Sequence, residues 1–223
     1  MLEVRNVSYT YTNKYQTNEV LHGVSCTFEQ GQMYAITGPS GSGKTTLLSL
    51  LAGLDLPSKG EILVDGKSMA SMDRDAYRRD MASVIYQSFN LFPLLTALEN
   101  VMFPLQLRGK SKADAQADAE KCIASVNLKE SVLPHRPQMM SGGEQQRVAI
   151  ARALAAGGKI LLADEPTGNL DAANGDAVVA ILKTLAHEKG YIVVVITHSA
   201  DIAGQADIVY RIVDGQLSTG DTA

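Results

Sequence analysis

Four short apolar runs along the chain each end in a polar residue. The runs and their endings are residues 34–36 before Thr37-Gly38, residues 84–86 before Gln87, residues 160–163 before Asp164-Glu165, and Ile192–Ile196 before Thr197-His198. Runs that are apolar on both faces are typical of parallel strands covered by helices. Because ligands bind at the carboxyl ends of such strands, the pattern predicts that these polar endings share one site.

Other segments alternate between apolar and polar residues, as half-buried strands do. Residues 2–7 and 61–64 show this alternation, and the second segment precedes the turn pair Asp65-Gly66. Residues 208–213 precede a similar pair, Asp214-Gly215, which again indicates a hairpin. We therefore expect an antiparallel sheet beside the parallel core.

Helical patterns occupy much of the remaining chain. Residues 45–52 predict a short apolar helix, and residues 112–126 carry apolar side chains on one face with charges opposite. We expect a mainly helical insertion over residues 88–150. It would lie within a single domain whose catalytic core, including the antiparallel part, comprises residues 1–87 and 151–223.

Composition restricts the class of protein. The chain has 223 residues, 45% hydrophobic and 20% charged, which is enough to bury a substantial core. Its net charge of −4 argues against a nucleic-acid partner, because nucleic-acid binders usually show a basic face. Cys26 and Cys122 lack metal-ligand spacing, so we expect reduced thiols in the cytosol. The sequence contains no run of about 18 apolar residues, so we expect any membrane role to come through a partner.

A phosphate-binding loop follows the first apolar run. Its residues are Gly38, Pro39, Ser40, Gly41, Ser42, Gly43, Lys44 and Thr45, with Thr46 next in the chain. Glycines let the backbone wrap phosphates, and the helix that follows presents free N–H donors and partial positive charge to them. Lys44 can reach the β- and γ-phosphates, and the Thr45 hydroxyl can ligate Mg²⁺. The loop predicts that the chain binds Mg·ATP.

The acidic pair Asp164-Glu165 closes the third run. Adjacent side chains on a strand point to opposite sides, so the two carboxylates are expected to have different roles. We assign Asp164 to Mg²⁺ and Glu165 to polarising the attacking water. His198, at the end of the fourth run, could hydrogen-bond the γ-phosphate or orient Glu165.

The segment Ser141, Gly142, Gly143, Glu144 and Gln145 begins a helix with a capping box between Ser141 and Glu144. Two glycines in the first helical turn are costly, which indicates that this helix end meets an anion closely. With residues 146–154, the segment resembles the signature motif of ATP-binding-cassette (ABC) ATPases. The resemblance implies that the anion is the γ-phosphate of ATP bound by a second copy of the chain, so that two copies enclose two ATP molecules.

The resemblance extends over essentially the whole chain, and it implies roles for further residues. Tyr11 matches the aromatic residue that stacks on adenine, although Tyr9 or Tyr15 could substitute. Gln87 matches the loop that contacts Mg²⁺ and senses a membrane partner, and His198 matches the switch histidine. The dimer-interface loop of the family corresponds to Asn169, Leu170 and Asp171. Glu144 stands where the family often has Gln, and Met140 where it usually has Leu.

The resemblance also implies a fold class. That class is α/β, with a P-loop NTPase (RecA-like) parallel-sheet core, an antiparallel β subdomain and an inserted helical subdomain. In this comparison Lys44, Gln87, Glu165 and His198 form the catalytic group.

Within the family, the chain is most similar to ATPases of the lipoprotein-releasing and macrolide-export type. Members of this group pair with a separate permease that has few membrane spans and a large extracytoplasmic domain. The candidate docking residues for such a permease are Phe89, Leu91, Phe92, Leu94 and Leu95, directly after Gln87. The alternative is that these residues pack the helical insertion.

The predicted function is therefore ATP hydrolysis by a homodimer that powers a membrane permease, with the chain held at the inner face of the membrane by that permease. Two alternatives stay open within the family. One is a soluble ATPase that acts on DNA or ribosomes, and the other is the cell-division ATPase.

Overall fold

The computed structural model describes residues 1–12 and 17–219. Its strands are β1 (Leu2–Thr12), β2 (Thr17–Phe28), β3 (Met33–Thr37), β4 (Lys59–Val64), β5 (Lys67–Ser68), β6 (Ala82–Ile85), β7 (Ile160–Asp164), β8 (Ile192–Ile196), β9 (Ile208–Val213) and β10 (Gln216–Thr219). Its helices are α1 (Lys44–Leu51), α2 (Arg74–Asp80), α3 (Ala97–Leu107), α4 (Lys112–Ser125), α5 (Gly142–Ala155), α6 (Ala172–His187) and α7 (Ala200–Ala203). Short 3₁₀ turns lie at Met69–Ser71, Glu130–Val132 and Pro137–Met139.

The central sheet has six strands in the order β10-β9-β3-β8-β7-β6. The pairs β9–β3, β3–β8, β8–β7 and β7–β6 are all parallel, which confirms the predicted parallel core. The four apolar runs of the sequence are β3, β6, β7 and β8. Their carboxyl ends therefore lie at one edge of the sheet.

The hairpin at Asp214-Gly215 joins this central sheet. Strand β9 pairs in parallel with β3, where Tyr34 lies opposite Ile208, and β10 then pairs antiparallel with β9. The turn is as predicted, but the hairpin extends the edge of the parallel core and is separate from the antiparallel sheet. A local hairpin pattern is the same in either sheet, so the sequence did not distinguish the two.

The antiparallel sheet has four strands in the order β2-β1-β4-β5. The turn between β4 and β5 uses Asp65 and Gly66, with φ of 49° and 79°. Positive φ at both central residues is what a type I′ hairpin turn requires.

Two hydrophobic clusters cover the two faces of the central sheet. Successive β3 residues alternate between them, since Met33 belongs to the cluster under α3–α6, whereas Tyr34 and Ile36 belong to the cluster with α1 and the antiparallel sheet. Burial on both faces explains why the strands read as continuous apolar runs. The predicted limit of the helical part at residue 150 falls within α5, and that helix shares one core with the sheet.

Across residues 1–12 and 17–219, none of the helices combines the length and apolar character needed to cross a bilayer.

Candidate functional site

The phosphate-binding loop connects β3 to α1, as the sequence predicted. Gly38 and Gly43 have φ of 145° and 105°, conformations that L side chains rarely adopt. A Cβ at Gly38 would overlap the carbonyl oxygen of Ile212, and one at Gly43 would lie 2.7 Å from Leu21 Cδ2. These two glycines are therefore required by the shape of the loop itself.

Helix α1 begins without a side-chain cap. Its N-cap is Gly43, and its first turn contains no acidic residue. The first N–H groups of a helix have no intrahelical partner, so an uncapped helix end attracts an anion. Beside it, Lys44 Nζ donates to the carbonyl oxygens of Gly38 (2.9 Å) and Pro39 (2.8 Å). The ammonium group is thus held over the loop, where phosphates would lie.

A cavity of about 430 Å³ opens over this loop. It brings together the ends of the four parallel strands, because Gly38, Gln87, Asp164, Glu165 and His198 all line it, together with Lys44. The other loop residues on its wall are Ser40, Gly41, Gly43, Thr45 and Thr46. Pro39 and Ser42 belong to the loop without lining the cavity.

The two adjacent carboxylates occupy the same cavity but have different partners. The strand alternation used for this pair does not extend to Glu165, because Glu165 turns into the left-handed region (φ 48°) directly after β7. Asp164 lies beside Lys44 and Thr45 of the phosphate-binding loop. Burial and the nearby Glu165 charge raise the pKa of Asp164, while Lys44 and Thr45 partly oppose the rise.

Glu165 is oriented by His198. The Oε1 atom of Glu165 lies 2.8 Å from His198 Nδ1, and the backbone N–H of Glu165 donates to Ile196 O at 3.0 Å. The side chain of Glu165 is 17% exposed and that of His198 74%. Of the two roles considered for this histidine, the geometry favours contact with Glu165.

Gln87 links the cavity to the 168–171 loop. The Asn169 Nδ2 donates to Gln87 O at 2.9 Å, and the N–H of Gly168 donates to Glu165 O at 3.0 Å. A Cβ at Gly168 would lie 2.7 Å from Gln87 Nε2. The loop that carries Asn169, Leu170 and Asp171 is therefore in direct contact with two residues of the cavity.

Tyr11 lies at the outer side of the phosphate-binding loop. Its hydroxyl is 3.4 Å from Thr46 Oγ1, and its side chain is 52% exposed. Tyr9 packs edge-on against it, but the Tyr9 hydroxyl donates to Asp55, and this bond together with burial raises the pKa of Tyr9 to about 12. Tyr11 is thus better placed than Tyr9 to stack on a base, while Tyr15 lies outside the described residues.

The capping box at the start of α5 is present. Glu144 N–H donates to Ser141 Oγ (3.3 Å), and Ser141 N–H donates to Glu144 Oε2 (2.8 Å). A Cβ at Gly143, however, would overlap Asn174 Oδ1 and lie 2.6 Å from Asn174 Cγ. Gly143 is therefore explained by packing within the chain, and only Gly142 remains as evidence for a close anion.

The candidate docking residues divide into two groups. Phe92 and Leu94 are exposed (40% and 77%), whereas Phe89, Leu91 and Leu95 are partly buried. Leu91 packs against the core cluster under α3–α6. The partly buried residues support the alternative of packing within the helical insertion, while docking through Phe92 and Leu94 stays a prediction.

An apolar groove of about 490 Å³ runs beside this segment. We define it by Leu54, Phe92, Phe103 and Leu107, with Arg78, Arg79, Asp75 and Arg152 also on its wall. Leu54 and Leu107 are 48% and 67% exposed, so the groove presents apolar surface to solvent.

The sequence did not single out three polar residues that organise the site. Asn174 is held by Asp171, to which its N–H (2.9 Å) and Nδ2 (2.8 Å) both donate, and it packs against Gly143. Asn100 and Arg152 hold the docking segment by backbone contacts. A polar residue within an apolar helical face, as Asn100 is in α3, is the signal that could have identified one of them.

Comparisons with known proteins agree with this geometry. The ABC transporter family model matches residues 21–168. Over 220 residues the chain is 43% identical to the lipoprotein-releasing system ATP-binding protein LolD of Shewanella frigidimarina, which covers 97% of this chain and 92% of that protein.

The macrolide export ATP-binding/permease protein MacB of Brucella melitensis is 40% identical over 225 residues. That match covers 100% of this chain but 34% of the relative, so the chain spans about a third of its length.

A solved structure, the dimeric post-hydrolysis state of the ATP-binding cassette MJ0796 of Methanocaldococcus jannaschii bound to ADP and Pi, superposes with a TM-score of 0.91. It is 37% identical and covers 100% of this chain and 99% of that chain. The chain therefore belongs to the ABC transporter family, as an ATP-binding cassette that hydrolyses ATP.

Proposed function

We propose that this chain is the ATP-hydrolysing subunit that powers a separate membrane permease, and that two copies enclose two ATP molecules between them. One observation carries the dimer. The α5 end carries the residues that resemble the signature motif, but Ser141 and Gly142 there do not line the cavity over the phosphate-binding loop. Exposed Ser141 is thus available to the nucleotide of a second copy.

Within each cavity, Lys44 and the N-terminus of α1 would hold the phosphates. Glu165, oriented by His198, would accept a hydrogen bond from the attacking water and align it with the γ-phosphorus. The exposed imidazole of His198 can also contact the γ-phosphate. His198 would then hold Glu165 in position when ATP is bound.

The cavity also offers ligands that suit Mg²⁺. The Asp164 carboxylate, the Thr45 hydroxyl and the Gln87 amide are hard oxygen donors that would hold Mg²⁺, and few such protein ligands are needed when phosphates and water supply the others. The raised pKa of Asp164, caused by burial and by Glu165, marks a site where a cation would relieve crowded negative charge. Bound Mg²⁺ would neutralise charge on the β- and γ-phosphates.

The apolar groove is the proposed docking site for the permease. Three arginines and one aspartate border it, so we expect the permease segment to be apolar with a carboxylate beside it. Relatives named as an export ATP-binding/permease protein and as a lipoprotein-releasing system protein support a permease as the partner. The family resemblance adds the expectation that this permease has few spans and a large extracytoplasmic domain. The chain would then lie at the cytoplasmic face of the inner membrane.

The first test is size-exclusion chromatography of Glu165→Gln with and without Mg·ATP. We expect ATP to convert monomer to dimer, and Ser141→Arg in the same background to prevent this, because the larger side chain would block the second nucleotide. Glu165→Gln should also abolish turnover with ATP still bound, whereas the exposed control Glu188→Gln should keep it. ATP binding without dimer formation, or turnover by Glu165→Gln, would contradict the proposal.

The docking surface has its own test. Leu107→Asp should prevent co-purification with detergent-solubilised membrane protein, because it places a charge in the apolar groove, while the exposed control Val213→Asp should not. Co-purification with ribosomes or DNA would favour the alternative of a soluble ATPase.

A further inference from the structure

The loop beside the groove contains two consecutive non-glycine residues in the left-handed region. Phe89 has a φ of 62° and Asn90 a φ of 49°. L residues with a Cβ avoid this conformation, and such strain persists only where the surroundings hold it in place. The neighbouring contacts should therefore include groups that fix this pair.

One guanidinium group fixes both residues. Arg152 Nη1 donates to Asn90 O at 2.7 Å, and Arg152 Nη2 donates to Phe89 O at 3.2 Å. The same group lies over the ring of Phe92, with its central carbon 5.8 Å from the ring centroid. A planar fork with paired donors is suited to two adjacent carbonyl oxygens, and a single ammonium group is not.

A second helix holds the other end of the same loop. Asn100 is fully buried, and its Oδ1 accepts from Phe92 N–H at 2.8 Å. Its Nδ2 donates to Leu95 O (3.2 Å) and Thr96 O (2.9 Å). Asn100 is on α3 and Arg152 on α5, so a relative movement of α5 would act on residues 89–92 while α3 retains residues 92–96.

Arg152 is dedicated to this loop. Its hydrogen-bond partners are carbonyl oxygens, and within residues 1–12 and 17–219 it forms no ion pair with a carboxylate. Burial lowers the pKa of the guanidinium, which reflects the loss of water around it.

Arg152 also lies on the helix that begins at the signature residues. Helix α5 runs over 14 residues from Gly142 to Ala155, so its N-terminus and Arg152 move as one rigid element. We propose that Arg152 is a positioning residue that transmits engagement of the α5 N-terminus by the second copy's nucleotide to the loop of residues 89–92 at the groove. This inference rests on the proposed dimer. It adds the residue through which dimer formation would affect the docking groove.

The test uses a tryptophan placed in the loop. The chain has no tryptophan, so Phe92→Trp, at a site 40% exposed within the loop of residues 89–92, provides a single reporter. In the Glu165→Gln background, Mg·ATP is expected to shift the emission of this reporter when the dimer forms. Arg152→Ala should remove the shift while ATP affinity stays within about twofold, since Arg152 does not line the nucleotide cavity. Arg152→Lys retains the charge and most of the volume but not the paired donors of the guanidinium, so it should lose the shift as Arg152→Ala does.

Arg108→Ala is the matched control. Arg108 Nη1 donates to Ala156 O at 2.5 Å, at the C-terminal end of the same helix, without contacting the loop. A general loosening of α5 would change the reporter in both variants, whereas the proposed role affects Arg152 alone. A dimer whose reporter shifts equally without Arg152, or does not shift at all, would overturn this inference and leave the proposed function intact. Absence of any dimer on size-exclusion chromatography would overturn both.

Discussion

Gly142 and Gly143, adjacent at the start of α5, are expected to respond to alanine in opposite directions. A Cβ at Gly143 would overlap Asn174 Oδ1, and Asn174 cannot easily move because Asp171 holds its N–H and its side-chain amide. Overpacking of this kind costs about 1–3 kcal/mol, of which a helical Gly→Ala change recovers about 0.5–1 kcal/mol. The net cost is therefore about 0.5–2 kcal/mol, which for a chain of this size corresponds to a fall in Tm of about 1–8 °C.

Gly142→Ala has room for its methyl group. The nearest atoms to its Cβ are Leu170 Cδ2 at 3.4 Å and Asn169 O at 3.5 Å, which are ordinary contacts. The substitution should stabilise the free chain by about 0.5 kcal/mol, or about 1–2 °C in Tm. It should nevertheless prevent ATP-dependent dimerisation, because the methyl group would stand between the helix end and the incoming phosphate.

Two assays on each variant separate these effects. Differential scanning calorimetry of the free chain measures stability, and size-exclusion chromatography with Mg·ATP in the Glu165→Gln background measures assembly. Gly175→Ala in α6 is the stability control, since a Cβ there would meet only Thr167 atoms, at the ordinary distances of 3.7 Å and 3.8 Å. A less stable Gly142→Ala, or an unaffected Gly143→Ala, would refute the packing argument. A Gly142→Ala that dimerises as its parent does would refute the role of Gly142 at the phosphate.

Three further outcomes are expected. Tyr11→Ala should weaken ATP binding about 5–150-fold in titrations with a fluorescent analogue, as loss of about 1–3 kcal/mol of stacking predicts, while Tyr11→Phe should bind like the parent. Equal affinities of Tyr11→Ala and the parent would exclude stacking. Asn100→Leu should lower the unfolding free energy in urea by about 1–3 kcal/mol, because it leaves buried loop N–H and C=O groups unpaired, and an unchanged midpoint would contradict this. Burial raises the pKa of Asp207, but the N–H of Met33 and the imidazole of His187 outweigh it and hold that pKa below its ordinary value. The carboxylate therefore stabilises the fold above its unfolded pKa and loses this effect as pH falls through the folded pKa. The Tm of Asp207→Asn should lie below that of the parent at neutral pH, and the difference should shrink in acid. A difference that grows in acid would contradict a lowered pKa for Asp207.

The sequence predicted those parts of the fold whose conformation is determined by neighbouring residues in the chain. Strands β3, β6, β7 and β8 are buried on both faces, so each reads as an apolar run whatever its neighbours are. Their polar endings then had to meet, because parallel strands end at one edge. The turn at Asp65-Gly66 was readable for a similar reason, since few residue types adopt its positive φ values.

The remaining features depend on contacts between distant segments. Glu165 adopts a left-handed conformation without a glycine or asparagine to signal it, and its N–H bond to Ile196 involves another strand. The need for glycine at 143 comes from Asn174 on another helix. The contacts of Arg152 are with backbone carbonyls, which have no sequence signature at all.

The position of β3 within the central sheet has a consequence for folding during synthesis on the ribosome. This strand leads into the phosphate-binding loop, yet both of its neighbours, β8 and β9, come from the other end of the chain. Met33 bonds Asp207 across a sequence separation of 174 residues. A ribosome that has synthesised the loop must therefore add most of the chain before the sheet beneath it can form, and such non-local pairing is slow. Nascent chains are expected not to bind ATP until β9 has left the ribosome. Nucleotide binding would then indicate that the central sheet has formed.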